Sequence, residues 1–116
     1  MEEKDKIASK INHTEHTIFW LKEGPNTFGS SDRNNFIFPE YVSGYAGIFF
    51  LKGNKVNIRT AESANITHNG ASIDGCVIYE AGKSLLLEAP NLQFRVVNYE
   101  GKLGIEVKEK TKLKAD

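Results

Sequence analysis

The chain has 116 residues, enough for one domain with a sizeable core. Hydrophobic residues make up 40% and charged residues 26%, which excludes a charge-driven disordered chain. Lys plus Arg is 15 and Asp plus Glu is 15, so the basic excess usual in nucleic-acid binders is absent, and neither nucleic acid nor membrane is an expected partner.

Residues 1–15 read as a polar tail. Ile7 and Ile11 are four apart there, but two apolar residues bury little. No apolar leader follows the charged start, which favours the cytoplasm, and no run approaches the ~20 residues of a membrane helix. Residues 16–108 are expected to form one β-domain. Thr17-Ile18-Phe19-Trp20-Leu21 is β-branched and aromatic, and it ends at the turn signal Glu23-Gly24-Pro25-Asn26. Short strands are expected next at 27–28, 36–38, 47–51, 56–59, 65–67 and 77–79, then at 84–87, 92–97 and 103–107. Lys52-Gly53-Asn54-Lys55 and Glu100-Gly101-Lys102 read as hairpin turns. Asn69-Gly70 and Asp74-Gly75 are dipeptides suited to type I′ turns, whose two central residues need positive φ. Leu92, Phe94 and Val96 alternate with Gln93 and Arg95, the mark of a sheet buried on one side. Phe49 and Phe50 are adjacent and must point to opposite faces, so one of them needs cover from a terminal segment or a partner. Residues 109–116 read as a charged tail. The pattern as a whole predicts an all-β sandwich of two antiparallel sheets.

Chemistry-bearing residues are sparse. Cys76 lies in the apolar run Cys76-Val77-Ile78-Tyr79 and reads as a small core hydrophobe; as the single cysteine it excludes an intramolecular disulfide. His13, Glu15, His16 and His68 lack zinc-ligand spacing, and no glycine fingerprint for a dinucleotide is present, so neither metal nor cofactor is expected. Carboxylates are scattered over turns and tails with no convergent catalytic set, which points away from an enzyme.

From Phe28 to Asn65 the chain resembles a forkhead-associated (FHA) domain, a phosphothreonine-reading module, and this implies an FHA/SMAD-like sandwich. Gly29 takes the place of the family's glycine, Asn35-Phe36-Ile37-Phe38 that of its Asp-Ile-x-Leu, Ser43 that of its phosphate-contacting serine, and Ser63-Ala64-Asn65 that of its Ser-Thr-Asn. Two departures follow. Ser30 stands where the family has the phosphate-reading Arg, and Ala46 where it has the His that braces the loops. Loss of that Arg removes about 1.5–3 kcal/mol, the worth of a charge-assisted hydrogen bond, which weakens binding roughly tenfold to a hundredfold. The resemblance therefore implies a non-catalytic interaction or scaffold module with degenerate phosphate recognition. Its partner would be a protein, a peptide or a neighbouring segment. One alternative keeps phosphopeptide binding through Ser43, Asn65 and a substituting Arg33.

A second resemblance is to an uncharacterised bacterial family with an FHA-like half. It rests on Phe19-Trp20-Leu21-Lys22-Glu23-Gly24, Phe28-Gly29-Ser30, Phe38-Pro39, Ala46-Gly47, Asn69-Gly70 and Gly104-Ile105. It implies the further alternative that the chain is the non-catalytic half of a larger enzyme-like protein. The small residues Ser30, Gly44, Ala46 and Gly47 leave space beside Tyr41 and Tyr45. Either an apolar groove for a non-anionic ligand forms over Ser30, Tyr41, Ser43, Tyr45 and Asn65, or the two tyrosines fold inward and fill the space.

Overall fold

The computed structural model describes residues 16–110. The expected tail at 1–15, with His13 and Glu15, and residues 111–116 lie outside them. The strands in chain order are β1 (His16–Trp20), β2 (Gly24–Gly29), β3 (Phe36–Ile37), β4 (Gly47–Lys52), β5 (Lys55–Thr60) and β6 (Thr67–His68). They continue as β7 (Ala71–Ser72), β8 (Gly75–Glu80), β9 (Lys83–Ser84), β10 (Leu87–Ala89), β11 (Leu92–Tyr99) and β12 (Lys102–Glu109). One 3-10 turn spans Glu62–Ala64. No helix among the described residues is long and apolar enough to cross a membrane.

Two six-stranded sheets result, ordered β1-β12-β11-β10-β6-β7 and β3-β2-β4-β5-β8-β9. The chain is thus the expected all-β sandwich. Neighbouring strands are antiparallel except β2 and β3, which run parallel across the loop between Gly29 and Phe36. Alternation decides the faces. Leu92, Phe94 and Val96 of β11 and Leu103, Ile105 and Val107 of β12 are buried, opposite Val56 and Ile58 of β5. An aromatic stack joins the layers. Phe28 lies 4.3 Å from Phe49 and 5.0 Å from Phe38 between ring centroids, and Phe94 meets Phe49 edge-on at 6.0 Å. Phe19 stacks on Phe36 at 5.0 Å, so β1 closes one end of the core. Phe49 and Phe50 separate as their adjacency requires, at 0% and 38% exposure.

Turn chemistry explains the hairpins. Asn69 and Gly70 both have positive φ between β6 and β7, as a type I′ turn needs, and Glu100-Gly101 does the same between β11 and β12. Four local expectations are corrected. The first turn falls at 21–23 rather than at 23–26. There the buried Asn26 side chain accepts from Lys22 N (3.0 Å) and donates to Lys22 O (2.9 Å) and Gly24 O (3.0 Å), which frees Gly24 and Pro25 to begin β2. Pro25 is tolerated because β3 covers only the far end of β2. Asp74-Gly75 is not a hairpin turn. Asp74 O accepts from Thr60 N at 2.9 Å, and Gly75 opens β8 opposite Arg59. Residues 84–87 do not form one strand, because the chain crosses between sheets there, with Ser84 in β9 and Leu87 in β10. Asn65 is left-handed (φ 55°) and caps the 3-10 turn instead of starting a strand.

Candidate functional site

Three loops meet at one end of the sandwich. Ser30 N and Ser31 N donate to Ser43 O and Gly44 O at 3.0 and 3.1 Å, so the β2–β3 loop is laced to the β3–β4 loop. The approach requires glycine at 29, since a Cβ there would lie 2.3 Å from Gly44 O. Ala46 joins the third loop. Its N–H donates to Phe28 O and its carbonyl accepts from Ala61 N, both at 2.8 Å. Ser43 Oγ then donates to Ser63 O at 3.1 Å and lies 3.3 Å from Ser63 Oγ. Ser30, Ser43 and the 62–65 segment, singled out in sequence, are thus connected in space.

Their side chains, however, serve the loops. Ser30 Oγ donates to Val42 O at 2.6 Å. Ala46 is fully buried, so its position offers no seat for a larger bracing side chain. Bracing falls to Asn34, whose Nδ2 donates to Gly44 O (2.7 Å) and Ser31 O (2.9 Å). Nothing in the polar run Ser31-Asp32-Arg33-Asn34 distinguishes that residue in advance. Asn35 secures the loop base, its Oδ1 accepting from Thr27 N at 2.8 Å. Arg33 is exposed, and its guanidinium has no hydrogen-bond or ion-pair partner among the described residues.

Tyr41 and Tyr45 do not fold inward; they are 44% and 48% exposed. The Tyr41 hydroxyl donates to Glu109 Oε1 at 2.6 Å, which ties the β3–β4 loop to the last residue of β12, one position past the boundary expected at 108. Partial burial, together with the carboxylate that accepts its proton and repels its charged form, holds that phenol well above the ordinary tyrosine range. The charge of the edge is unfavourable to an anion. Arg33 is the single cation in residues 29–46 and 61–66, against Asp32, Glu40 and Glu62.

Beyond Asn65 the surface falls into an open groove of about 610 Å³ walled by Glu62, Asn65, Ser72 and Asp74. It abuts a second groove of about 740 Å³, floored by β5 and β8 and ending at Phe50. Sequence reasoning missed both, because each is walled by the end of β5 together with residues around Asp74 that lie more than ten positions away in the chain. Cys76 lines the second groove. It is half-buried against the core, and desolvation with the Asp74 charge pushes its thiol up. His68 Nδ1 lies 3.0 Å from Leu86 O, and among the described residues no three His, Cys, Asp or Glu side chains gather in a metal-holding group.

Among solved structures, the chain is similar to one determined in a structural and functional analysis of phosphothreonine-dependent FHA domain interactions. Identity is 19%, coverage is 86% of this chain and 100% of that one, and the TM-score is 0.47. No family model matches the chain, and no curated protein does.

Proposed function

We propose that this domain is a non-catalytic protein-interaction module whose loop edge has the FHA layout without its phosphothreonine reader. The observation that carries the reading is the Ser30 hydroxyl, turned onto Val42 O at 2.6 Å in the position where an Arg would face phosphate. The buried Ala46 and the surplus of carboxylates around Arg33 support it. A phosphate at this edge would meet neutral hydroxyls already engaged within the loops and a net negative field, where anion recognition needs converging charge-assisted donors. A neutral or cationic peptide meets no such barrier, and exposed Tyr41 and Tyr45 offer it contact area.

The rival keeps phosphopeptide binding through Ser43, Asn65 and Arg33; the unengaged Arg33 guanidinium favours it. Amide shifts of the labelled domain decide between them during titration with matched phosphorylated and unphosphorylated threonine peptides. The proposal expects no saturable phosphate-dependent shift at Ser30, Ser43 or Asn65 up to about millimolar peptide. Saturation at micromolar phosphopeptide, abolished by Arg33→Ala, would overturn it. Ser30→Arg is expected to restore no measurable phosphopeptide affinity, because the carboxylates remain. Ala46→His should instead destabilise the fold by about 1–3 kcal/mol through overpacking.

A further inference from the structure

The outer face of the second sheet holds an unpartnered groove. Phe50, the outward member of the Phe49-Phe50 pair, is exposed there beside the half-buried Val77. Gly75 opens β8 with no side chain, and even a Cβ at that position would meet only Ile58 O, at 3.6 Å, so no side chain covers the paired backbone of β5 and β8 there. The grooves of about 740 and 610 Å³ share Thr60 and Asp74, and together they make one channel from Phe50 to Glu62 and Asn65. Its charges are ordered. Glu62 and Asp74 are exposed at one end and the junction, and Arg59 is exposed toward the Phe50 end. Neither carboxylate has a side-chain hydrogen bond or ion pair among the described residues.

We infer that this channel docks an extended peptide segment of a partner protein, which places a Lys or Arg between Glu62 and Asp74 and an apolar side chain over Phe50. The inference deepens the interaction role proposed above and rests on it. An extended strand spans both lobes, whereas a compact ligand would fill only one. The carboxylates are complementary to a cation, and Arg59 opposes a cation at the other end, so the charge order sets the direction of the segment. The partner also supplies the cover that an outward phenylalanine lacks.

The test uses the 116-residue chain and two sets of blocked octapeptides. Each set carries one Leu or Phe, placed three or four residues from a Lys or Arg in one set and from a Glu in the other. The basic set is expected to give saturable amide shifts at Glu62, Asp74, Gly75 and Val77, weakening as salt rises. Bound peptide should also shift the Phe50 ring protons, since that ring is exposed on the channel face. Glu62→Gln with Asp74→Asn should weaken binding about three- to thirtyfold with no change in thermal melting, as two exposed ion pairs are lost. Phe50→Ala should weaken binding of the basic set.

Three outcomes overturn the inference without bearing on the loop edge. One is no saturable shift from the basic set. Another is equal response to the Glu set. The third is concentration-dependent shifts at Phe50 and Val77 without peptide, which would assign the face to a second copy. Basic peptides that move Tyr41, Ser43 and Tyr45 but not Asp74 or Gly75 would defeat the channel and leave the proposed function standing. Phosphothreonine peptides that saturate Ser43 and Asn65 while the basic set moves nothing would defeat both.

Discussion

Asn26 shows how one buried polar side chain sets the path of the chain. Its carboxamide is fully engaged, with Lys22 N as donor and Lys22 O, Gly24 O and Phe49 O as acceptors, the last at 3.3 Å. Asn26→Ala strands those backbone groups and should cost roughly 1–3 kcal/mol in chemical denaturation. Asn26→Asp should cost more, because its carboxylate would face the three carbonyls that accept from the amide nitrogen. Tyr41 gives a pH signature. Its folded-state pKa lies above the ordinary value of about 10. The folded state therefore holds the proton where the unfolded chain releases it. Stability from this group is complete below pH ~10 and falls as pH rises above it. Denaturation midpoints between pH 8 and 11 should decline less steeply in Tyr41→Phe than in the parent chain.

At the scale of elements, two hairpins set the sheet edges at β7 and β9. The β8–β9 turn holds Ala81 at φ 54° beside Gly82 at φ 79°, a type I′ geometry with an alanine in the left-handed region. That conformation strains a residue with a Cβ, and asparagine tolerates it better. Ala81→Asn should stabilise the domain by about 1 kcal/mol, read as a raised midpoint with an unchanged denaturant slope. Sequence alone pointed to Asn69-Gly70 and Glu100-Gly101 and passed over Ala81-Gly82, because alanine is a poor marker for positive φ. The register shift between Val56 and Asn57 is also invisible in the sequence, since β8 has no residue type that demands a bulge there.

For the whole molecule, the two sheets are held by an aromatic layer, and of the adjacent pair Phe49 enters it while Phe50 stays partly exposed outside it. Phe49→Ala and Phe50→Ala separate these roles. The first empties the stack among Phe28, Phe36 and Phe94 and should cost about 3–5 kcal/mol. The second truncates an exposed ring and should cost about 1 kcal/mol or less. Equal losses in thermal and denaturant unfolding would show that Phe50 is covered by the rest of the chain and is not free for a ligand.

Much of the core was legible because strand periodicity is local. Leu92, Phe94 and Val96 announced their shared face through Gln93 and Arg95, the adjacency of Phe49 and Phe50 required that they part without saying which goes inward, and the run of short strands indicated a sandwich. The loop edge was legible in part. The residues singled out at 29–30, 43 and 63–65 lie on three loops that the fold joins by hydrogen bonds, a proximity that their spacing in the sequence indicated. Tertiary structure alone decided which way the side chains face. Ser30 turns onto Val42, Asn34 takes over the bracing, and Tyr41 reaches Glu109, a residue 68 positions away. It also decided that Asp74 and Gly75 lie alongside β5 rather than in a turn, and so placed them in the groove that Phe50 lines. Hydrogen-bond partners and grooves come from residues distant in the chain, and no local pattern encodes which of several polar groups a loop will satisfy first.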